Sequence, residues 1–161
     1  MNARTGEIAP DTERLRAPGA DGPVVVGVDG MPRSVGALRW AADEALHRGV
    51  GLVAVHACEP AGPIAPYAPV PERGPDLDRE TEHLADLVRL ALGDEPRVPV
   101  RQVCEPTTAT RALLARGRGA SLLVLATSAD IATGVGIGAT ALACVRHPPC
   151  PVVLLPDRTW P

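Results

Sequence analysis

The chain has 161 residues, of which 45% are hydrophobic and 22% are charged. This length and apolar content fit one domain with a buried core and are too small for two ordinary domains. The formal net charge of -3 disfavours a nucleic-acid or anionic-membrane surface, because either partner requires a basic excess. We therefore expect neither nucleic acid nor a membrane among its partners.

The apolar runs and the cysteines both indicate a cytoplasmic protein. The longest apolar runs, such as residues 122–126, are far shorter than the span of about 20 residues that a membrane helix needs. The N-terminus carries charges in place of the apolar core of a signal peptide. The four cysteines show no Cys-x-x-Cys pairing, and a chain of this size does not need disulfides. We expect reduced thiols, no metal site and a cytoplasmic location.

One folded domain is predicted between two tails. Residues 1–22 mix charge with proline and glycine and show no apolar period, so we expect a disordered N-terminal tail. The folded domain is expected over residues 23–157, with a proline-rich loop at residues 59–75. Residues 158–161 are expected to form a short C-terminal tail.

Predicted strands and helices alternate from the start of this domain. Residues 23–29 and 52–58 are short apolar runs without strict alternation, which is typical of strands covered on both faces. A helix with apolar residues at i, i+3 and i+4 spacing follows the first run and ends at Gly49. A second amphipathic helix follows the second run and ends at Gly93.

The second half of the chain continues this alternation. A third strand is predicted at roughly residues 98–103, where Pro99 favours an edge position because proline cannot donate to a central ladder. Thr107 or Thr108 is the candidate cap of a third helix, and residues 121–127 form the fourth predicted strand. A glycine loop, a short helix and a last buried strand follow. This order predicts an α/β fold with an open parallel sheet and helices on both faces, in which ligands bind at the carboxyl ends of the strands.

Over residues 23–156 the chain resembles the universal stress protein family. The resemblance rests on three places: Val24-Val-Val-Gly-Val-Asp-Gly30 followed by Ala37-Leu-Arg-Trp-Ala-Ala42, then Val53-Ala-Val-His-Ala57, then Arg146-His-Pro-Pro-Cys-Pro-Val-Val153. It implies a Rossmann-like, five-stranded sheet of order 3-2-1-4-5, with the strand near Pro99 on an edge. It also implies a homodimer, often formed through the last strand, here between Pro151 and Leu155.

The glycine motif by which family members bind ATP is altered in this chain. That motif is Gly-x2-Gly-x9-Gly followed by Ser or Thr, after the fourth strand. When the alignment is anchored on Cys150, Gly138 takes the third glycine position, but Ala139 replaces the hydroxyl. Ala126 and Ala129 then replace the first two glycines, and the loop is one residue short.

Anchoring the alignment on Ala126 keeps the motif's spacing intact. Ala126, Ala129 and Ala139 then stand at the glycine positions, and Thr140 supplies the hydroxyl. Either alignment loses glycines where a backbone must approach phosphate closely or take a positive φ, and an alanine Cβ obstructs such an approach. Two glycines inside the loop are candidates to compensate, Gly134 and Gly136.

The resemblance implies an adenine nucleotide site at the carboxyl edge of the sheet. Its expected residues are Asp29, Ala57, Ala126, Ala129, Gly136, Gly138 and Thr140. Asp29 lies where the family's aspartate contacts adenine, and Ala57 would lend backbone contacts to the base. A purely structural turn is the equally weighted alternative for Asp29, since Asp-Gly is common turn chemistry after a strand. The expected ligand is ATP with magnesium, or AMP.

Three further features have structural interpretations. His56 lies inside an apolar strand, and we interpret it as a satisfied core histidine, since the sequence shows no partner constellation for it. The cysteines are interpreted as small hydrophobes, with a redox-sensitive thiol as the alternative for Cys58. The prolines of residues 60–69 recur every third residue and predict a stiff connection, with a ridge for a partner groove, or Tyr67 folded over a bound base, as alternatives.

The sequence favours binding over catalysis. It shows no Gly-x-Ser-x-Gly elbow, no intact Walker loop and no His and carboxylate set at metal-binding spacing, so no catalytic residue is assigned. We expect a small regulatory dimer that senses an adenine nucleotide. The alternative is a nucleotide-free member of the family whose dimer and proline loop contact an unidentified protein partner. Slow ATP hydrolysis, lost on Asp29→Ala or Thr140→Val, is the least favoured hypothesis.

Overall fold

The computed structural model describes residues 21–59, 74–127 and 137–156. Strands and helices alternate through these residues in the order β1 (Val24–Val28), α1 (Arg33–Arg48), β2 (Leu52–Ala57), α2 (Leu77–Leu92), β3 (Val100–Glu105), α3 (Ala109–Gly117), β4 (Leu122–Thr127), α4 (Ala139–Arg146) and β5 (Val152–Pro156). All neighbouring strands pair in parallel, in the order β3-β2-β1-β4-β5. The predicted sheet order is therefore confirmed. Most of both predicted tails and of the proline-rich loop, including Tyr67, lies outside the described residues.

Helices cover both faces of the sheet. In β1, the side chains of Val24, Val26 and Val28 pack in one core cluster with α1 and α2. Val25, between them, packs in a second cluster with α3 and α4. Because both faces are buried, the strand sequence needs no polar alternation, and its first three valines are at most 1% exposed.

The helix ends follow the signals in the sequence. α1 and α2 end at Gly49 and Gly93, both with positive φ, 67° and 77°, the left-handed region in which glycine is favoured. Thr108 caps α3, because its side chain accepts from the Arg111 N–H at 3.3 Å, so the second of the two candidate threonines is the cap. In the described part of the chain, no helix combines the length and apolar character needed to cross a membrane.

The third strand corrects one predicted boundary. β3 begins at Val100 and extends to Glu105, so Pro99 precedes the strand instead of lying inside it. Proline has no N–H to donate, and only the Pro99 carbonyl joins the sheet, accepting from the Leu52 N–H at 2.9 Å. The edge position predicted from Pro99 is confirmed, since β3 pairs with β2 alone among the described strands.

Candidate functional site

A cavity of about 340 Å³ lies at the carboxyl ends of β1, β2 and β4, beside the N-terminus of α4. This volume is within the range of small-molecule sites, about 300–1,000 Å³. The cavity brings together five of the seven residues expected from the sequence: Asp29, Ala57, Ala126, Gly138 and Thr140. The other two, Ala129 and Gly136, lie outside the described residues, as does Gly134.

Asp29 is held in place where β1 leads into α1. Its Oδ1 accepts from the Met31 N–H at 3.0 Å and from the Ser34 hydroxyl at 2.6 Å. The Ser34 hydroxyl in turn accepts from the Asp29 N–H at 3.1 Å. Oδ2 accepts from the Arg33 guanidinium. The turn role considered for Asp29 is thus present in the structure.

The surroundings of Asp29 keep its carboxylate ionised. Partial burial acts to raise the pKa of Asp29, but hydrogen bonds from Ser34, Met31 and Arg33, with the charge of Arg33, outweigh it and lower the pKa from 3.8. The Asp29 side chain remains 43% exposed, with acceptor capacity left on Oδ2. Asp29 therefore combines a structural role with a charged edge that faces the cavity.

Arg33 and Ser34 also belong to the site, although the sequence did not predict them. Arg33 lines the cavity, and its Nε is buried without an acceptor among the described residues. Ser34 is fully buried beneath Asp29. In the sequence, these two residues are typical of the first turn of a helix and do not indicate a site. A hydroxyl shortly after an Asp-Gly turn was the one available signal, because such side chains bond locally to backbone and carboxylate groups.

The N-terminus of α4 supplies backbone donors to the cavity. The first intrahelical bond there runs from the Leu142 N–H to the Gly138 carbonyl at 2.9 Å. The N–H groups of residues 139–141 precede this bond and have no acceptor within the helix, and Gly138 supplies no side-chain cap. These residues line the cavity. The positive end of a helix dipole with free N–H groups is suited to an anion.

Gly138 does not need to be glycine for the fold. Its φ of -55° is open to any residue, and a Cβ added there meets no atom of the described residues within 4 Å. Among the described residues, a methyl group at this position would therefore crowd nothing, so its effect would fall on a ligand placed in the cavity. The alanines that replace glycines in this loop likewise matter for how closely a ligand can approach and not for folding.

His56 has partners that the sequence analysis did not find. Its Nδ1 lies 2.8 Å from the Val28 carbonyl, and its Nε2 lies 2.9 Å from Oε2 of Glu80 on α2. The interpretation of His56 as a satisfied core histidine is therefore confirmed, but the sequence did not reveal its acidic partner. Glu80 is 24 residues further along the chain, beyond the proline-rich segment, so no local spacing reveals the contact.

Cys58 follows β2 next to this pair and is only 6% exposed. Burial raises the pKa of its thiol to about 11, with further contributions from Cys104 and Glu80. A thiol protonated at neutral pH and hidden from solvent is a poor nucleophile, which argues against a redox-sensitive role for Cys58. All four cysteines of the chain carry free thiols.

The fold and cavity together define the class of protein. The strand order reverses between β1 and β4, and both strands contribute to the cavity at their carboxyl ends. That is the ligand position of doubly wound α/β proteins, and the helix N-terminus beside it is an anion-binding element.

Comparison with known proteins identifies the family. A model of the universal stress protein family matches residues 22–156. A universal stress protein of Mycobacterium tuberculosis is 34% identical over 140 residues, which cover 82% of this chain and 43% of that protein. This chain belongs to the universal stress protein family. It spans 43% to 48% of the length of the curated relatives that it matches.

Solved structures of the family share the fold. A universal stress protein from Lactobacillus plantarum, 19% identical, aligns with a TM-score of 0.64 over 84% of this chain and 97% of its own. A universal stress protein in complex with cAMP, also 19% identical, has a TM-score of 0.59 over 85% and 98% of the two chains. One from Archaeoglobus fulgidus in complex with dAMP, 21% identical, has a TM-score of 0.54 over 83% and 96%.

Proposed function

We propose that this chain is a cytoplasmic regulatory protein that binds an adenine nucleotide, AMP or ATP with magnesium, at the carboxyl edge of its sheet. Membership of the universal stress protein family supports the regulatory role. The cAMP and dAMP complexes of two family structures support the choice of an adenine nucleotide. The four free thiols fit a reducing cytoplasm.

The donors around the cavity carry the proposal. The N–H groups at the start of α4 and the buried Nε of Arg33 have no acceptors among the described residues, and the residues that carry them line the cavity. A nucleotide phosphate at α4 would satisfy the backbone donors, and the Thr140 hydroxyl would add a side-chain donor. Another acceptor of the nucleotide would satisfy Arg33, since a buried guanidinium N–H without a partner is costly.

The other side of the cavity suits a base. Ala57 at the end of β2 and Val28 at the end of β1 line it with apolar surface and strand-end backbone. The exposed edge of the Asp29 carboxylate accepts from the adenine amino group in this proposal. Gly138 leaves open space beside the phosphate end. These features offset the loss of glycines at positions 126 and 139.

Binding is the whole mechanism in this proposal. The nucleotide biases the cavity loop between arrangements only by as much free energy as its affinity differs between them. No catalytic step is proposed, because the carboxylate in the cavity is held by Met31, Arg33 and Ser34. Magnesium-dependent phosphate release that disappears in Thr140→Val would show that the protein is an ATPase instead.

We further propose a homodimer through β5. This strand lies at the edge of the sheet and pairs with β4 alone among the described strands. Its residues Val152, Val153 and Leu154 are only partly buried, so pairing with a second copy would cover both an open edge and apolar surface. If nucleotide does not bind, this surface favours the alternative function, a dimeric protein-interaction module.

Substitutions at the two donor positions test the nucleotide site. We expect Thr140→Val and Arg33→Gln each to weaken AMP or ATP binding about 5- to 10-fold, the size of one lost hydrogen bond. The affinities are measured by calorimetric titration of the purified chain.

The matched controls are Thr81→Val and Arg97→Gln, which change exposed residues that do not line the cavity. Both controls are expected to bind as the native chain does. Equal affinities for all four variants would place the nucleotide elsewhere and contradict the proposed site.

A further inference from the structure

Three potential metal ligands converge between β2 and α2. His56 and Cys58 lie on the same side at the end of β2, because alternate residues of a strand face the same way. Glu80 approaches them from α2. One ligand atom from each residue lies within 4.8 Å of the other two, the one such group of three among the described residues.

The ring of His56 is already oriented as a ligand. The Val28 carbonyl can only accept a hydrogen bond, so the 2.8 Å contact places a proton on Nδ1. In the neutral ring this leaves the Nε2 lone pair directed at the cluster. Metal-binding histidines are commonly fixed in this way, with the second nitrogen donating to a backbone carbonyl.

The contact between His56 and Glu80 needs a positive charge between its atoms. With the ring proton on Nδ1, Nε2 presents a lone pair to Oε2 of Glu80 at 2.9 Å, a distance too short for two lone pairs with nothing between them. Either a proton or a metal ion must bridge them. Zinc bonds of about 2.0–2.2 Å to N and O place such atoms about 3.3 Å apart, so a small outward movement of the Glu80 side chain suffices.

The sulfur chemistry favours a soft transition metal. The Cys104 thiol lies beside Cys58, and Cys104 stands opposite His56 in the register of β2 and β3. Thiolate and imidazole ligands suit Zn²⁺, whereas Mg²⁺ and Ca²⁺ prefer oxygen alone. On coordination the S–H proton of Cys58 leaves to solvent and a metal–sulfur bond forms. The Glu80 side chain, 34% exposed, leaves an entry path.

We propose that His56 Nε2, Cys58 Sγ and a carboxylate oxygen of Glu80 form a binding site for a Zn²⁺-class transition-metal ion. A water molecule completes the tetrahedron. The bound ion ties the first turns of α2 to the end of β2, at the side of the sheet that borders the nucleotide cavity through His56. This site does not depend on nucleotide binding.

Cobalt is the probe, because Co²⁺ occupies zinc sites and absorbs visible and near-ultraviolet light when bound to thiolate. The full chain, with reduced thiols and without chelator, is titrated with Co²⁺ and then with Zn²⁺. We expect one Co²⁺ per chain, a thiolate-to-cobalt charge-transfer band and displacement by Zn²⁺. Cys58→Ser is expected to lose the band and to bind Co²⁺ at least about 10-fold more weakly. Glu80→Gln is expected to keep the band and to lose Co²⁺ affinity by a similar factor.

Cys150→Ser and Glu82→Gln are the matched controls and are expected to bind Co²⁺ as the native chain does. Glu82 is exposed on α2 and is not part of the cluster. Circular dichroism verifies folding, and Glu80→Gln alone decides the question if Cys58→Ser does not fold. A folded native chain that binds no Co²⁺, or a Glu80→Gln variant with native affinity, would overturn the proposal. Thr140→Val is expected to bind Co²⁺ normally, which separates this site from the nucleotide site.

Discussion

At the scale of single residues, Ser34 organises the entrance to α1. Its side chain is fully buried, yet both functions of its hydroxyl are used, one as acceptor from the Asp29 N–H and one as donor to Asp29 Oδ1. The pair fixes the direction of the Asp29 carboxylate, whose Oδ2 in turn accepts from the Arg33 guanidinium. A residue with no contact to ligand thereby sets the geometry of two that border the cavity.

Replacing this hydroxyl should cost stability. Ser34→Ala leaves a part-buried N–H and one carboxylate oxygen short of a partner, so we expect the free energy of unfolding to fall by about 1–3 kcal/mol. Urea denaturation followed by circular dichroism measures the change.

Ser121→Ala is the control for Ser34→Ala. Ser121 is also buried, but its hydroxyl makes a single long bond of 3.4 Å to the Pro23 carbonyl. We expect a smaller loss there. If the two variants lost the same free energy of unfolding, the role of Ser34 in bonding to both the N–H and Oδ1 of Asp29 would be wrong.

At the scale of secondary structure, the edge strand β5 is the element on which the proposed dimer depends. The Pro151 carbonyl accepts from the Leu123 N–H of β4 at 2.9 Å. Because backbone groups alternate in direction along a parallel strand, the N–H groups of Val152 and Leu154 point away from β4. Those groups are the ones that a second copy would pair with.

A proline at an outward-facing position of β5 should prevent the proposed dimer. Leu154→Pro removes an outward N–H without removing a bond to β4, so we expect a monomer by light scattering. Leu154→Ala removes the same side chain and keeps the N–H, and we expect it to remain a dimer. A native chain that is strictly monomeric would refute the proposed assembly.

At the scale of the whole molecule, the sequence predicts the architecture well and the side-chain network poorly. Apolar runs and terminal glycines such as Gly49 are local signals, and they locate strands and helices directly. The family resemblance adds the strand order, and the fold then places the cavity at the carboxyl ends of the strands. What the sequence does not reveal is tertiary contact.

Two cases show the physical reason. Glu80 contacts His56 because α2, which follows the proline-rich segment, packs against β2. The spacing of the two residues along the chain does not predict this contact. The start of β3 likewise depends on a tertiary contact, because its pairing with β2 begins at Val100, after Pro99, which has no N–H to donate. Sequence propensity alone therefore places the start of this strand two residues too early. Local sequence patterns determine helices and strands, whereas a functional site depends on how those helices and strands pack together.

We propose that this cavity binds an adenine nucleotide although alanine replaces glycine in its loop. The most direct measurement is a calorimetric titration of the native chain with ATP, ADP and AMP, with and without magnesium, at two temperatures. Two temperatures are needed because burial of apolar surface changes the binding enthalpy with temperature, so a true interaction cannot be silent at both. We predict saturable binding with micromolar affinity for at least one nucleotide. A folded chain that shows no saturable heat at millimolar nucleotide would contradict the account and leave an interaction module in its place.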